Sequence, residues 1–542
     1  MPVRAVASTT APSIVLRAWQ ERALERMSAW HDGSFLLSAA PGAGKTIPSL
    51  VFARGLLRAG VVRRVHVLCP TTPLTRQWAE AAGRLGVQLA PDAAELRPPR
   101  DFDGVVATYA RAASSAGRWA PQCGRDTLVI ADEAHHLGQE LAWGEGFARA
   151  FGATRRWLLL SGTPFRSDQS PIAGVRYDDG VAVPDVSYTY ADAVRDGICR
   201  PVVFIPYDGT LSWQSGDDVI ESSFDTVLSG REASRRYRTA ISTELADGLP
   251  RILRAADERL GEVRAQGHRD AGGLVVTADG EHARRVAAVL QAVTGRAPTV
   301  VLHTDARAAA KLRAFGRGRD RWLVAVNMVS EGVDIPRLRV GVYASAAKTP
   351  LVFRQIVGRF VRTLAGGPVQ HSYLFLPADR LLRAHAAEVE QELRHVLAPP
   401  AEEPPDAFDE RAERRRTEPT QPDAFLPLDA DVAPQLALFG GGALAGAPAP
   451  VPMAVAFAGP PAVADEPAEL PVFRRRAGLR DKRQGLVRTL AGMDGRSYRE
   501  INTWLNRETG APGVRDASLD QLERSVELLL AELDRLSRRR AS

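Results

Sequence analysis

Two consecutive α/β domains, each a doubly wound parallel sheet, are the fold this sequence predicts, followed by a flexible tether and a small α-helical domain. Three observations predict it. Short, near-continuous apolar runs alternate with helix-like segments through the first 200 residues, as in a sheet buried on both faces. The same alternation restarts after a connecting region at about 205–270. Residues 399–471 then hold 15 of the 37 prolines and the stretch GGGALAGAPAPVP, a composition that cannot build a core.

The first set of strand-like runs is SFLLSAA (34–40), VHVLCP (65–70), GVVATY (104–109), LVIADE (128–133) and RWLLLSGT (156–163). Helix-like segments such as Pro73–Leu85 lie between them. The second set is GGLVVTA (272–278), TVVLHT (299–304), RWLVAVN (321–327), VGVYAS (340–345) and SYLFLP (372–377). Two domains of similar size imply a ligand cleft between them. Near the end of the chain, Ser497–Glu500 and Ser518–Gln521 both fit a capping box. Ile501, Trp504 and Leu505 give the first predicted helix an apolar face. Leu519, Leu522, Val526, Leu529, Leu533 and Leu536 give the second a stripe spaced by three and four.

Composition excludes several classes. Of 542 residues, 45% are hydrophobic and 25% charged, an ordinary globular mix. No apolar run reaches the roughly 18–20 residues of a membrane span. The first residues lack the unbroken apolar core of a secretory signal. Cys69, Cys123 and Cys199 form neither a disulfide framework nor a paired zinc spacing, so a reducing cytoplasm is expected. The net charge is +6, and the whole of that excess falls in residues 471–542, which points to a polyanion partner there. Arg474–Arg476, Arg480, Lys482 and Arg483 precede the first predicted C-terminal helix, and accessory DNA binding is the reading they support.

The sharpest motif is AAPGAGKT, residues 39–46, between a strand and a probable helix. Gly42 and Gly44 let successive backbone N–H groups turn inward at a helix N-terminus, where the dipole favours anions. Lys45 is placed to reach the β- and γ-phosphates of a nucleotide and Thr46 to hold Mg²⁺. A second motif, Asp132-Glu133-Ala134-His135, ends the run LVIA. Asp132 is placed to hold Mg²⁺ through water, and Glu133 to orient and deprotonate the attacking water. His136 and Asp168 are read as structural. A third motif, Gln355–Arg362, sets Arg359 and Arg362 three apart on one helix face, where they could neutralise the γ-phosphate in the transition state.

The order of these elements resembles the superfamily 2 helicases and translocases, of DEAD/DEAH-box type in the broad sense, over the length of both α/β domains. The resemblance implies two RecA-like P-loop domains, 1–205 and 206–398; composition and periodicity add a disordered linker over 399–471 and a basic helical accessory domain over 472–542. It also implies ATP and Mg²⁺ as ligands. In that family the first residue of the phosphate loop is an alanine, as Ala39 is here. Leu16–Gln20 resembles the Q-type motif, with Gln20 reading adenine. Pro70–Trp78 resembles motif Ia, and Ala107–Tyr109 a later strand-contacting motif. These imply nucleic-acid contacts by Thr71, Arg76 and Thr108. Ser161-Gly162-Thr163-Pro164 resembles motif III, which couples hydrolysis to domain movement. Asn327–Pro336 resembles motif V, implying nucleic-acid contact by Ser330 and nucleotide contact by Gly332 and Asp334. SEGVDIP and QIVGRFVR look closer to excision-repair helicases and restriction-enzyme motors than to DEAH RNA helicases, so DNA is the expected track and RNA the alternative.

Gln435-Leu436-Ala437-Leu438-Phe439, inside the tether, resembles the bacterial sliding-clamp binding peptide. Gln435, Leu436, Leu438 and Phe439 would make the clamp contacts, because a tether has little reason to cluster large apolar groups unless a partner buries them. The expectation is an ATP-driven DNA motor of repair or replication, in the cytoplasm with the nucleoid. The alternatives are a motor subunit of a restriction or anti-phage system, and a clamp- and DNA-binding adaptor.

Overall fold

The first five apolar runs become parallel strands of one sheet. In the structure, a computed structural model, these are β1 (Gly33–Ala39), β2 (Arg64–Cys69), β4 (Gly104–Thr108), β5 (Thr127–Asp132) and β6 (Arg156–Ser161), joined by the short β3 (Leu89–Ala90) and β9 (Val186–Tyr188). The strand order is β3-β4-β2-β5-β6-β1-β9, and β7 (Tyr177–Asp178) pairs with β8 (Val181–Ala182) apart from it. Residues 15–91, 100–138, 141–162, 172–178, 181–215, 218–228, 230–302, 307–326, 335–363, 371–394, 425–434 and 470–541, with Pro98, Thr304 and Asp305, are described.

Because this sheet is parallel, all its strands end on the same edge. β5, β6 and β1 are adjacent, so the phosphate-loop motif after β1, the acidic pair at the end of β5 and Ser161 at the end of β6 are brought side by side. That is why motifs far apart in sequence converge on one site.

The second sheet has the order β11-β10-β16-β15-β12-β14-β13, with β17 paired to β10. Its strands are β10 (Val202–Ser215), β11 (Asp218–Ser222), β12 (Gly272–Thr277), β13 (Thr299–Val301), β14 (Trp322–Val326), β15 (Leu338–Ala344), β16 (Ser372–Pro377) and β17 (Phe425–Pro434). A buried apolar cluster continues from the first sheet into the second. Two α/β sheets rich in parallel pairings, consistent with tandem RecA-like domains, are therefore present as the sequence predicts.

Parts of the structure differ from the sequence reading. Arg359 and Arg362 do not share a helix face: the helix Pro350–Val357 ends before both, Arg359 stands in a turn and Arg362 forms a bridge with Cys199. The connecting region at about 205–270, to which the sequence reading assigned no elements, holds most of the 14-residue strand β10, strand β11 and the helices Gly230–Ala240 and Leu249–Ala265. The stretch read as a disordered linker contains β17, which runs antiparallel to β10 from Tyr207↔Pro434 to Ser215↔Phe425. Pro427 and Pro434 hid this strand, since proline lacks a ladder donor and is tolerated at a sheet edge or a bulge. The register shifts between Ser212 and Trp213, beside Pro427, and Ala430 and Val432 are buried.

The basic run read as preceding the first C-terminal helix is itself the helix Val472–Asp494. Its pattern lacks an apolar face because arginines take buried positions. Arg476 donates to the carbonyls of Arg515 and Ala517, and Arg483 donates to Asn502 Oδ1 at 2.7 Å. The helices Tyr498–Thr509 and Leu519–Ala541 complete a unit whose small core holds Val487, Leu490, Ile501, Leu505 and Leu529. Both capping boxes form: Glu500 N donates to Ser497 Oγ at 3.2 Å and Gln521 N to Ser518 Oγ at 3.3 Å. The unit docks on the first domain. Arg474 pairs with Glu80, Val472 N donates to Gln88 Oε1 at 3.2 Å, and Leu519 N donates to Asp101 Oδ2 at 2.8 Å. Among the described residues, no helix is long and apolar enough to cross a membrane.

A candidate ATP site between the two domains

The phosphate-loop motif leaves β1 and enters the helix Thr46–Arg58. Gly42 and Gly44 both have positive φ, +80° and +92°, which an L side chain adopts only with strain. Space adds a second reason for glycine. A Cβ at Gly42 would lie 3.0 Å from Arg362 Cγ, and one at Gly44 would lie 3.1 Å from Gln20 Nε2. The loop is thus bare where the second domain and the N-terminal helix approach it. Lys45 Nζ donates to Ala39 O at 3.1 Å and lies 3.9 Å from Glu133 Oε1. Thr46 is the first residue of the helix and lines the same cleft.

Gln20 is 4% exposed on the helix Ala18–Ser28. Its Nε2 donates to Gly44 O at 3.0 Å, its Oε1 accepts from Arg17 N at 3.0 Å, and Arg17 Nη1 donates to Ala43 O at 2.9 Å. Gln20 therefore braces the phosphate loop. Arg17 is a second brace that the sequence reading did not single out.

The acidic pair sits across the cleft. Asp132 is buried, and burial first, then the adjacent Glu133, raise its carboxyl above the ordinary range, to about 6. Trp78 Nε1 donates to Asp132 Oδ2 at 2.8 Å, and the Tyr109 hydroxyl donates to Asp132 O at 2.6 Å. For Glu133, burial pushes the same way, but Lys45, then His135, His136 and Arg359 outweigh it and hold the carboxylate well below its usual range. Glu133 is also the one non-glycine residue with positive φ among the described residues, at 52°. Backbone strain of this kind persists where surrounding structure imposes it and clusters at functional sites. His135 Nδ1 lies 3.6 Å from Glu133 Oε2 and 3.3 Å from Ser161 Oγ, linking the acidic pair to motif III.

The second domain closes the cleft. Gly358 packs so tightly on Pro41 that a Cβ there would lie 2.9 Å from Pro41 Cβ. Arg354, Gln355, Arg359 and Arg362 line a cleft of about 300 Å³ together with Gly42, Gly44, Lys45, Thr46, Asp132, Glu133 and His136. The sequence reading treated His136 as structural; the structure puts it in the cleft wall, with no signal in the sequence beyond its adjacency to the motif.

The other expected contacts fall into two groups. Thr71 stands at the N-cap position of the helix Thr72–Arg84 just past β2, with no capping bond from its side chain, and Arg76 is exposed one turn along that helix. Thr108 ends β4, pairs in register with Cys69 of β2, and accepts from Arg111 N at 3.3 Å. Thr71, Arg76 and Thr108 thus share one edge of the first sheet. Thr163, Asp168, Ser330, Gly332, Asp334, Gln435, Leu436, Leu438 and Phe439 lie outside the described residues.

Comparison with known proteins decides the family. Residues 13–166 match the family described as type III restriction enzyme, res subunit, and residues 267–363 match the helicase conserved C-terminal domain. An uncharacterized protein of Mycobacterium leprae, ML1624, is 39% identical over 408 residues, covering 74% of this chain and 68% of that protein. The chain belongs to the family of that mycobacterial protein. It is also 43% identical over 397 residues to the uncharacterized protein Rv2917 of Mycobacterium tuberculosis, covering 72% of this chain and 65% of that protein. The chain thus matches just under two thirds of that relative's length. A putative HsdR subunit fragment of a type I restriction enzyme from Vibrio vulnificus shares the fold, with a TM-score of 0.50, 18% identity and coverage of 69% of this chain and 67% of that one.

The residues present fit Mg²⁺ with a nucleotide. A buried carboxylate raised by its own desolvation and by a neighbouring acid gains from a cation, and Thr46 presents a hydroxyl in the same cleft. Trp78 acts here as a positioning residue. Replacing it with phenylalanine keeps the packing and removes the hydrogen bond, so the Mg²⁺ concentration needed for half-maximal ATP turnover is expected to rise about 10- to 100-fold. A Mg²⁺ titration of wild type and Trp78→Phe checks this.

Proposed function

We propose that this chain is an ATP-driven motor of superfamily 2 that moves on DNA. The observation that carries the reading is the single cleft that gathers Lys45, Asp132 and Glu133 from the first domain with Arg359 and Arg362 from the second. ATP enters with its phosphates on the 39–46 loop, where Lys45 exchanges the Ala39 carbonyl for phosphate oxygens. Gln20 reads the adenine from beside the loop it braces. Thr46 and Asp132 would hold Mg²⁺, which would supply charge neutralisation at the phosphates. Glu133 orients the attacking water and takes its proton, while Arg359 and Arg362 meet the charge that develops on the γ-phosphoryl group.

Movement follows from the geometry of the bridge. ATP tied to Lys45 on one side and to Arg359 and Arg362 on the other favours closure, and loss of the γ-phosphate releases it. Thr71, Arg76 and Thr108 grip the backbone from the first domain and Ser330 from the second, with Gly332 and Asp334 carrying the nucleotide state to that grip. The support for DNA is the restriction-type family matched by residues 13–166 and the likeness of SEGVDIP and QIVGRFVR to repair and restriction motors. That same match favours a second reading, a motor subunit of a restriction or anti-phage system. A clamp contact by Gln435–Phe439 is part of the reading on the likeness of that run to the bacterial clamp-binding peptide alone.

The test is the ATPase rate with no nucleic acid, single-stranded DNA, duplex DNA and RNA. The expected result is strong stimulation by DNA with little by RNA. Stimulation by RNA alone overturns the choice of track.

A further inference from the structure

Four basic residues gather at the N-terminal ends of neighbouring strands of the second sheet. Arg200 lies just before β10, His371 just before β16, Arg339 near the start of β15 and His268 shortly before β12, and these strands are adjacent in the order β10-β16-β15-β12. The register brings them together. Val202 pairs with Ser372, Val340 with Tyr373, and Arg339 Nη2 donates to His371 O at 2.9 Å.

Arg200 and Arg339 are each 2% exposed. Arg337, on the same strand ends, shows how this fold satisfies a buried guanidinium: its Nε, Nη1 and Nη2 donate to the carbonyls of Phe315, Asp270 and Asp320 at 2.8, 2.8 and 2.9 Å. Arg200 is different. Its Nη2 donates to Pro336 O at 3.0 Å, but its Nη1 is buried with no hydrogen-bond partner, as is Nε2 of His268. Among the described residues no Asp or Glu pairs with Arg200. Burial first, and then the nearby Arg339, push Arg200 down to about 9, while Arg339 and Arg200 add to the burial that lowers His268. A buried, uncompensated guanidinium beside a second one is costly, and the missing component is an anion.

We infer that Arg200, Arg339, His268 and His371 form a binding site for a small tetrahedral oxyanion of the phosphate class. A guanidinium fork matches such an anion in geometry and charge. The burial of Arg200 and Arg339 suits a free ion rather than a phosphate within a polymer. The site also has a route to catalysis. Arg200 N donates to Val361 O at 2.6 Å, and Cys199 forms a bridge with Arg362, so the segment that carries Arg362 is held by the residues flanking the anion. Occupancy of the site stabilises the cleft-facing position of Arg362.

The test is calorimetric titration of the full chain with inorganic phosphate, at ionic strength balanced with chloride, for wild type, Arg200→Met and Arg339→Gln. The phosphate loop is intact in all three, so any binding there is common to them. The expected result is a phosphate-binding component in wild type whose affinity falls by about tenfold or more in both variants. Phosphate should also raise the melting temperature of wild type more than that of either variant. A short duplex DNA arm, with no added phosphate, should not reproduce the difference. If Arg200→Met does not fold, Arg339→Gln carries the comparison. Equal phosphate affinity and equal thermal shifts in wild type and the folded variants overturn the inference, and so does a difference seen with DNA but not with phosphate.

Discussion

Replacing Glu133 with glutamine is expected to slow ATP hydrolysis by about 10²- to 10⁴-fold while leaving nucleotide binding in place. The substitution keeps size and shape, so the strained backbone at Glu133 is no worse served than before. It removes the group that takes the proton from water. It also removes the negative neighbour that raises Asp132, which favours the charged form of that carboxylate and so does not weaken its hold on a cation. Single-turnover hydrolysis, alongside binding of a fluorescent ATP analogue, separates the two effects. Turnover like that of wild type would remove Glu133 from the chemistry.

The second large effect is expected across the cleft. Arg359→Ala and Arg362→Ala should each lower turnover steeply, toward the ~10³-fold or more associated with loss of an arginine finger. Arg362 has the more direct structural warrant, since its side chain lies so close to Gly42 that a Cβ there would come within 3.0 Å of its Cγ. Arg359 acts on Glu133 through its charge. Because both belong to the second domain, ATP binding to the loop of the first should survive either change. Lysine at position 362 restores charge but not the planar fork, so it should recover little activity. Equilibrium binding and turnover measured on the same samples distinguish lost chemistry from lost binding. A variant that binds and hydrolyses ATP normally would leave that arginine without a catalytic role.

Much of this was legible in the sequence, for identifiable reasons. The ten apolar runs are strands because parallel strands buried on both faces need near-continuous apolar residues, and that pattern needs no tertiary information. Lys45, Asp132 and Glu133 were legible because phosphate loops and acidic strand ends have local signatures. Trp78 was not, because its hydrogen bond to Asp132 spans 54 positions and only the adjacency of β2 and β5 creates it. The roles of Arg17 and His136 likewise depend on what folds against them. β17 escaped because two prolines and a charged, alternating run read as tether, and its partner strand begins more than 200 residues earlier. The helix Val472–Asp494 escaped because its buried face is built on arginines, which a hydrophobic pattern cannot reveal.

The central claim is that ATP hydrolysis in this cleft drives movement along DNA, and displacement of a third strand from a DNA triplex tests it most directly. The account predicts ATP-dependent displacement by wild type and none by Glu133→Gln or Arg362→Ala under conditions where all three bind DNA. DNA-stimulated hydrolysis by wild type with no displacement would contradict translocation and leave a nucleotide-switched DNA-binding protein in its place.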